Sequence, residues 1–343
     1  MNRRERVLAA CRREPASGAA LPDRPPVSFW GHFYHRESSA RDLVEATLEF
    51  QREYDWDWIK LNPRKHYHVE PWGVRYRYPG TPGGKPVIED WPIRSPGDWA
   101  RITPQPPEAG ALAEQIEAVR LLRRGLPADV PLIETVFTPL AVLAEMVPDP
   151  RTLREAMRTH PDAVRAALEA VTMTYEAYVP RLLAAGAEGL FFATVDWASR
   201  DLMTAEDYRA WARAADLRVL AKAAAAPFNV LHVCKRNNLL FEFADYPVAA
   251  FSWAATDPTN PSLASALARL PVAVMGGISQ DTALAASDPG PALAEFNAAL
   301  EATGGRRWLV APGCSIPPGI PGGNLRAIRD AVEAVRLDAA RSR

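Results

Sequence analysis

Cysteine is scarce in this chain of 343 residues, which holds only Cys11, Cys234 and Cys314. Three thiols build no disulfide framework, and their scarcity points to a reducing, cytoplasmic setting. An excess of charge is lacking too. Forty basic residues against forty-one acidic ones leave a formal net charge of −1, which excludes nucleic-acid binding through a general basic surface. No apolar run reaches the ~20 residues that a membrane span requires, so no membrane partner is expected. The opening MNRRERVLAACRREP reads as a short amphipathic helix and not as a cleavable signal. Repeats, linkers and composition breaks are absent, and one domain over 1–343 is expected.

What is present suits a large globular core, with 48% hydrophobic and 24% charged residues. Eight short β-rich runs recur: 25–30, 57–62, 130–136, 188–194, 229–234, 248–253, 271–277 and 307–312. Several are almost wholly apolar, as parallel strands buried on both faces are. Between them lie Ala-, Leu- and Arg-rich stretches with helical periodicity. Examples are 161–185, 204–225 with Thr204 and Asp207 as a capping pair, and 325–340 with Asn324 as its cap. The alternation predicts an α/β fold, a (β/α)8 TIM barrel, with a doubly wound open sheet as the alternative. A long insertion, 63–109, follows the second strand; rich in Pro, Gly and aromatics, it is expected to form hairpins over the barrel mouth.

Chemistry concentrates where strands end. In Leu231-His232-Val233-Cys234, positions i and i+2 of a strand project to the same side, so His232 and Cys234 point together. Cys314 follows the eighth strand, and a barrel gathers all its strand C-termini at one mouth. One imidazole and two thiolates form a reasonable zinc set with an open fourth position. The competing reading is a buried small residue beside an ordinary hydrogen-bonded histidine, and Cys11 is read as packing. Glu134 sits within an apolar strand, where a carboxyl must be paired, protonated or ligating. It and Asp196, after the fourth strand, are the candidate catalytic groups. His32, Asn62, His66, Trp253 and Gln280 fall at strand ends and are the candidates for binding a small-molecule substrate, each weighed against an ordinary loop or cap role.

Longer stretches carry a resemblance. RRWLVAPGCSIPPGIPGGNLRAIRDAV resembles the C-terminal signature of the uroporphyrinogen decarboxylase superfamily, supported by ETVFTPLAVLAEMV (134–147), HPDAVRAALEAVT (160–172) and AGAEGLFFATVDWASRDLMTAEDY (185–208). It implies a (β/α)8 barrel and two branches of activity. The metal-free decarboxylases carry an N-terminal arginine-rich motif and a histidine at a C-terminal Gly-His-Gly-Ile. Here SFWGHFYHRE (28–37) lacks the arginine pair, and Cys314 replaces the histidine. The cobamide-dependent methyltransferases bind zinc through His-x-Cys and a distant Cys, which His232, Cys234 and Cys314 match. Lys235 to Asn238 depart from the glycine common in that branch. The resemblance therefore implies a zinc-dependent methyltransferase that uses a corrinoid on a separate carrier protein. A homodimer is a separate expectation about assembly. The alternatives are a uroporphyrinogen decarboxylase, a zinc enzyme without corrinoid, and a non-catalytic binding module that has kept the barrel.

Overall fold

A computed structural model describes residues 1–12 and 21–337; the ends of the two terminal helical stretches read from the sequence, 13–15 and 338–340, lie outside the described residues. Seven parallel strands form one sheet: β1 (Ile59–Leu61), β4 (Leu132–Phe137), β5 (Leu190–Ala193), β6 (Val230–His232), β7 (Ala250–Ser252), β8 (Ala273–Ile278) and β9 (Trp308–Pro312), hydrogen-bonded in that order. Two further strands, β2 (Arg75–Arg77) and β3 (Val87–Asp90), pair antiparallel as a hairpin within 63–109.

The sequence count of eight strands is corrected to seven in the parallel sheet. Residues 25–30, expected as the first strand, make only isolated bridges, Val27 with Val310 and then Gly31 with Ile316. Ser28 N–H donates to Val310 O (3.1 Å), and Asp57 N–H donates to Val27 O (2.9 Å) just before β1. The segment thus touches both edges of the curled sheet without forming a ladder.

Alternate strand residues divide the interior. Ile59, Leu61, Leu132 and Val136 join the large cluster shared with the helices, whereas Trp30, Ile133, Phe191, Val230, Ala273 and Leu309 form a separate inner cluster. Val7 and Ala10 of helix Arg3–Ala10 belong to that inner cluster. Arg3 pairs with Asp129, Arg4 with Glu188 and Arg6 with Asp57, all just ahead of strands. The N-terminal helix therefore covers the N-terminal ends of the strands and leaves the C-terminal ends for chemistry. Cys11 is buried at the end of this helix, and burial pushes its thiol up to about 12.

The helical readings hold in part. Pro161–Ala185 is one helix, and Thr204 accepts from Asp207 N–H at the start of Ala205–Trp211. The stretch expected to continue to 225 is broken into Ala205–Trp211 and Arg213–Ala221. Asn324 is not a cap: the last helix is Gly322–Ala334 behind Pro321, and the buried Asn324 amide donates to Leu284 O and Ala286 O.

Asp57 holds the closure together. Fully buried, it accepts from Arg6 Nη1 (2.8 Å), Arg24 Nη1 (2.7 Å) and Val27 N–H (2.8 Å). Removing one partner from a buried ion pair strands the other charges, at a cost of about 3–5 kcal/mol. Asp57→Ala should lower the unfolding free energy by about that amount in urea titrations, whereas an exposed-pair variant such as Arg41→Ala should change it little.

Candidate metal centre and active-site cavity

β6 ends at His232, and two residues later Cys234 projects on the same side. β9 ends at Pro312, and Gly313 brings the next residue in tightly: a Cβ on Gly313 would lie 2.8 Å from Ala254 Cα. The result is that the ligand-type atoms of His232, Cys234 and Cys314 all lie within 4.8 Å of one another. Among the described residues this is the one His, Cys, Asp or Glu group so arranged. The sequence placed these three together, and they are together.

The imidazole is held on two sides. His232 Nδ1 is 3.1 Å from Ser252 Oγ on the neighbouring strand, and the ring stacks on Phe191 at 4.9 Å between centroids. His232 Nε2 is buried and has no hydrogen-bond partner. Buried polar atoms are almost always satisfied, so an orphaned ring nitrogen beside two sulfurs has the character of a ligand atom. Cys234 and Cys314 are half-buried. The Cys234 thiol, with help from His232, holds Cys314 well below the ordinary thiol range; the same contact, with burial, pushes Cys234 well above it. A thiol held low in this way is stabilised as its thiolate, the form that ligates metals.

These residues line one end of a cavity of about 770 Å³. His32, Asn62, His66 and Gln280 also line it, as does Asp196, whose Oδ1 is 3.0 Å from Lys235 Nζ. Gln280 donates to Asp281 Oδ2 (2.7 Å). Asn62 Oδ1 accepts from Lys60 Nζ and from Ser315 Oγ (3.3 Å), the latter next to Cys314. His66 Nδ1 lies 3.1 Å and His68 Nε2 2.5 Å from the two oxygens of Glu145. Arg64, by contrast, is committed to Glu70 and Glu114, while Arg75 and Arg77 make pairs within the hairpin.

Two expected residues lie elsewhere. Glu134 is fully buried, but its neighbours Ile133 and Thr135 face inward, so its own side chain points to the helix layer and accepts from Gln115 Nε2 (3.0 Å). Burial pushes its carboxyl well above the usual range. It is a buried polar contact between sheet and helix, outside the cavity. Trp253 is likewise wholly buried on the helix side, its Nε1–H donating to Pro261 O (2.7 Å).

Lys60 was not marked by the sequence reading, although a lysine within DWIKLN is as anomalous as Glu134. It lines the cavity 5% exposed, with Nζ 4.8 Å from the Phe191 ring centroid and 5.6 Å from that of Trp30. Burial lowers its pKa to about 8, with Cys314, Glu134 and Cys234 pulling the other way. Glu37, Glu145 and Ser252 also carry no signal of their own, being visible only as partners of histidines.

A family model described as uroporphyrinogen decarboxylase (URO-D) matches residues 2–335. The chain belongs to the uroporphyrinogen decarboxylase family. A uroporphyrinogen decarboxylase of Roseiflexus is 28% identical over 54% of this chain and 56% of its own length; the match spans about half of that relative. Methylcobamide:CoM methyltransferase MtaA of Methanosarcina barkeri is 26% identical over 73% of this chain and 71% of its own. Among solved structures, a methyltransferase from Methanosarcina mazei superposes with a TM-score of 0.77 at 22% identity, covering 97% of this chain and 100% of that one. A B12-independent methionine synthase from Shewanella gives 0.56 at 11% identity, covering 90% and 96%. At such identities the structural likeness shows a shared fold. The family is one of enzymes, and among the described residues no helix is long and apolar enough to cross a membrane.

The depressed pKa of Lys60 carries a stability cost with a defined sign. An amine that titrates at about 8 when folded and near 10.5 when unfolded destabilises the folded state below pH 8, and the cost is relieved as pH rises towards 10. Lys60→Met should therefore be the more stable protein at pH 7, by up to about 3 kcal/mol. The difference should shrink between pH 8 and 10, as read from paired denaturation curves.

Proposed function

We propose that this protein is a zinc-dependent, corrinoid-linked methyltransferase, moving a methyl group between a methylcorrinoid on a separate carrier protein and a small thiol or methylated substrate. The observation that carries this reading is the convergence of His232 Nε2, orphaned and buried, with the sulfurs of Cys234 and Cys314 at one end of a substrate-sized cavity. An imidazole with two thiolates suits zinc better than harder cations, and three protein ligands leave a position for substrate. Zinc held there would supply a Lewis acid able to keep a substrate thiol as its thiolate at neutral pH.

The chain's own residues do the remaining work. Ser252 holds the ring plane of His232 through its contact with Nδ1, as partners of ligating histidines do. The two cysteines, as anions, offset the charge of a dication and moderate its grip on an incoming sulfur. Lys60 adds a positive charge beside that sulfur-rich end, and its burial against Phe191 and Trp30 keeps bulk water away. His32, Asn62, His66 and Gln280 stand at the walls to hold substrate, and Asp196 with Lys235 forms part of the rim. Residues of 63–109 that line the cavity, among them Lys85 and Trp91, belong to the surface we assign to the carrier protein. A cytoplasmic setting, where thiols stay reduced, suits the pair of cysteines.

The second reading, metal-free decarboxylation of a porphyrinogen, is favoured by the decarboxylase relatives. Against it, the lone arginine of 28–37, Arg36, pairs with Glu49 and does not line the cavity. Protein purified without added metal should contain near-stoichiometric zinc by elemental analysis. Cys234→Ser and Cys314→Ser should lose most of it, and Ser252→Ala should weaken zinc binding about 10–100-fold in chelator competition. Demethylation of methylcobalamin by added thiols should track the zinc content. Unchanged metal in both cysteine variants, or turnover of uroporphyrinogen III, would overturn the assignment.

A further inference from the structure

The cavity that Cys234 and Cys314 line also holds an imidazole oriented by a carboxylate. His32 Nδ1 is 3.0 Å from Glu37 Oε2, and Glu37 is completely buried. The other carboxylate oxygen accepts from Lys65 N–H (3.1 Å) and Tyr78 O–H (2.9 Å), so the carboxylate cannot swing away. The imidazole stacks on Tyr34 at 4.8 Å and 11°. With Nδ1 committed, Nε2 is the ring nitrogen left for the cavity that His32 lines. The backbone brings this residue to the cysteine loop: Ile316 N–H donates to Trp30 O (2.8 Å), and Gly31 lies so close that a Cβ there would meet Ile316 O at 2.9 Å.

This is the geometry by which a carboxylate fixes one tautomer of histidine and leaves the opposite nitrogen to take a proton. We infer that His32 Nε2 is the proton acceptor for the thiol entering the His232–Cys234–Cys314 site, with Glu37 as its positioning residue. This role rests on the methyltransferase reading. The S–H bond of the incoming thiol breaks, its proton goes to Nε2, and its electron pair stays on sulfur. Glu37 remains a carboxylate and stabilises the imidazolium that forms.

The charges around His32 agree with a neutral resting imidazole. Burial keeps its pKa below the ordinary 6.5 despite Glu37, and Lys65 and Lys60 act in the same direction as burial. Tyr34 and Tyr78 are the other titratable groups beside the pair. The base is therefore free to accept at pH 7, and kcat/KM should fall on the acid side, below about pH 6.5, as His32 becomes protonated in the free enzyme.

The test counts protons, using 2-mercaptoethanol and zinc-loaded protein at pH 7.5. Calorimetric titration in two buffers of different ionisation enthalpy gives the number released per thiol bound. A thiol binding to zinc as its anion should release about one proton when nothing in the protein retains it. Wild type and His32→Gln should each release about one proton at equilibrium, because an imidazole whose pKa lies below the ordinary 6.5 passes the proton on to buffer at pH 7.5, with zinc content unchanged. Methyl transfer by His32→Gln should drop about 10²-fold or more, with a smaller deficit for acidic thiophenol than for 2-mercaptoethanol and with the acid limb of kcat/KM abolished. Nitrogen-15 spectra should show a pyridine-type Nε2 for His32 in wild type and a mixed tautomer in Glu37→Gln. Undiminished methyl transfer with an unchanged acid limb in His32→Gln, or a pyridine-type Nδ1, would overturn this role alone. Failure of the thiol to bind zinc-loaded wild type would overturn the methyltransferase reading and this role with it.

Discussion

A parallel sheet places every strand's C-terminal end on the same side, and curling that sheet makes the ends face one another. On that constraint everything at the site depends. His232 and Cys234 come from the end of β6 and Cys314 from just beyond β9, far apart in sequence, yet their ligand atoms fall within 4.8 Å. No local motif could achieve this. The ladders from β6 through β7 and β8 to β9 set the spacing, and contacts of 26–31 with both edge strands keep the curl from opening. The ion cluster around Asp57 fastens the same segment from below, so the geometry of the site and the stability of the closure share one anchor.

The convergence of Cys234 and Cys314 was legible in the sequence because cysteine is rare here: of three cysteines, two fall at strand ends. The parity of the strands was not legible. Both faces of a parallel strand in such a sheet are apolar, so LIETV does not reveal whether Glu134 or its neighbours face the interior. Glu134 proved to face the helices and Lys60 the cavity, although each is an ionisable residue embedded in apolar sequence. An anomalous charge in a buried strand signals a special environment, and only the register tells which side of the sheet holds it. Trp253 lies outside the cavity for the same reason, its ring buried in the cluster shared with the helices.

The missing eighth strand has a related cause. PPVSFW has the composition of a strand, yet Pro25 and Pro26 lack the N–H groups that a ladder needs. The segment still makes the contacts an eighth strand would make at Val27, Ser28 and Gly31, and then leaves the sheet early. That early departure lets His32 turn into the cavity instead of continuing in the pleat. A regular strand running to residue 32 would have fixed its direction by alternation alone. Departure from the ladder gives the position its freedom, and the buried Glu37 then removes that freedom again.

The polar groups at the mouth form two chemically different walls. One is soft: two sulfurs and an imidazole nitrogen, with Lys60 adding positive charge from beneath. The other is built of histidines held by carboxylates, His32 by the buried Glu37 and the His66–His68 pair by the partly buried Glu145. A soft anionic set of this kind would hold a metal, and an oriented neutral imidazole would accept protons; in the proposed reaction each is of limited use without the other if the acceptor arrives as a protonated thiol. A decarboxylase needs to hold carboxylates, and for that one expects freely exposed guanidinium groups in the cavity. Of the arginines that line the cavity, Arg64 is neutralised by Glu70 and Glu114 and Arg236 stands exposed 3.6 Å from Asp201, while Arg36 is tied to Glu49 outside it. The division of the cavity into a sulfur wall and a proton-accepting wall is therefore the feature that most separates the two activities its relatives represent.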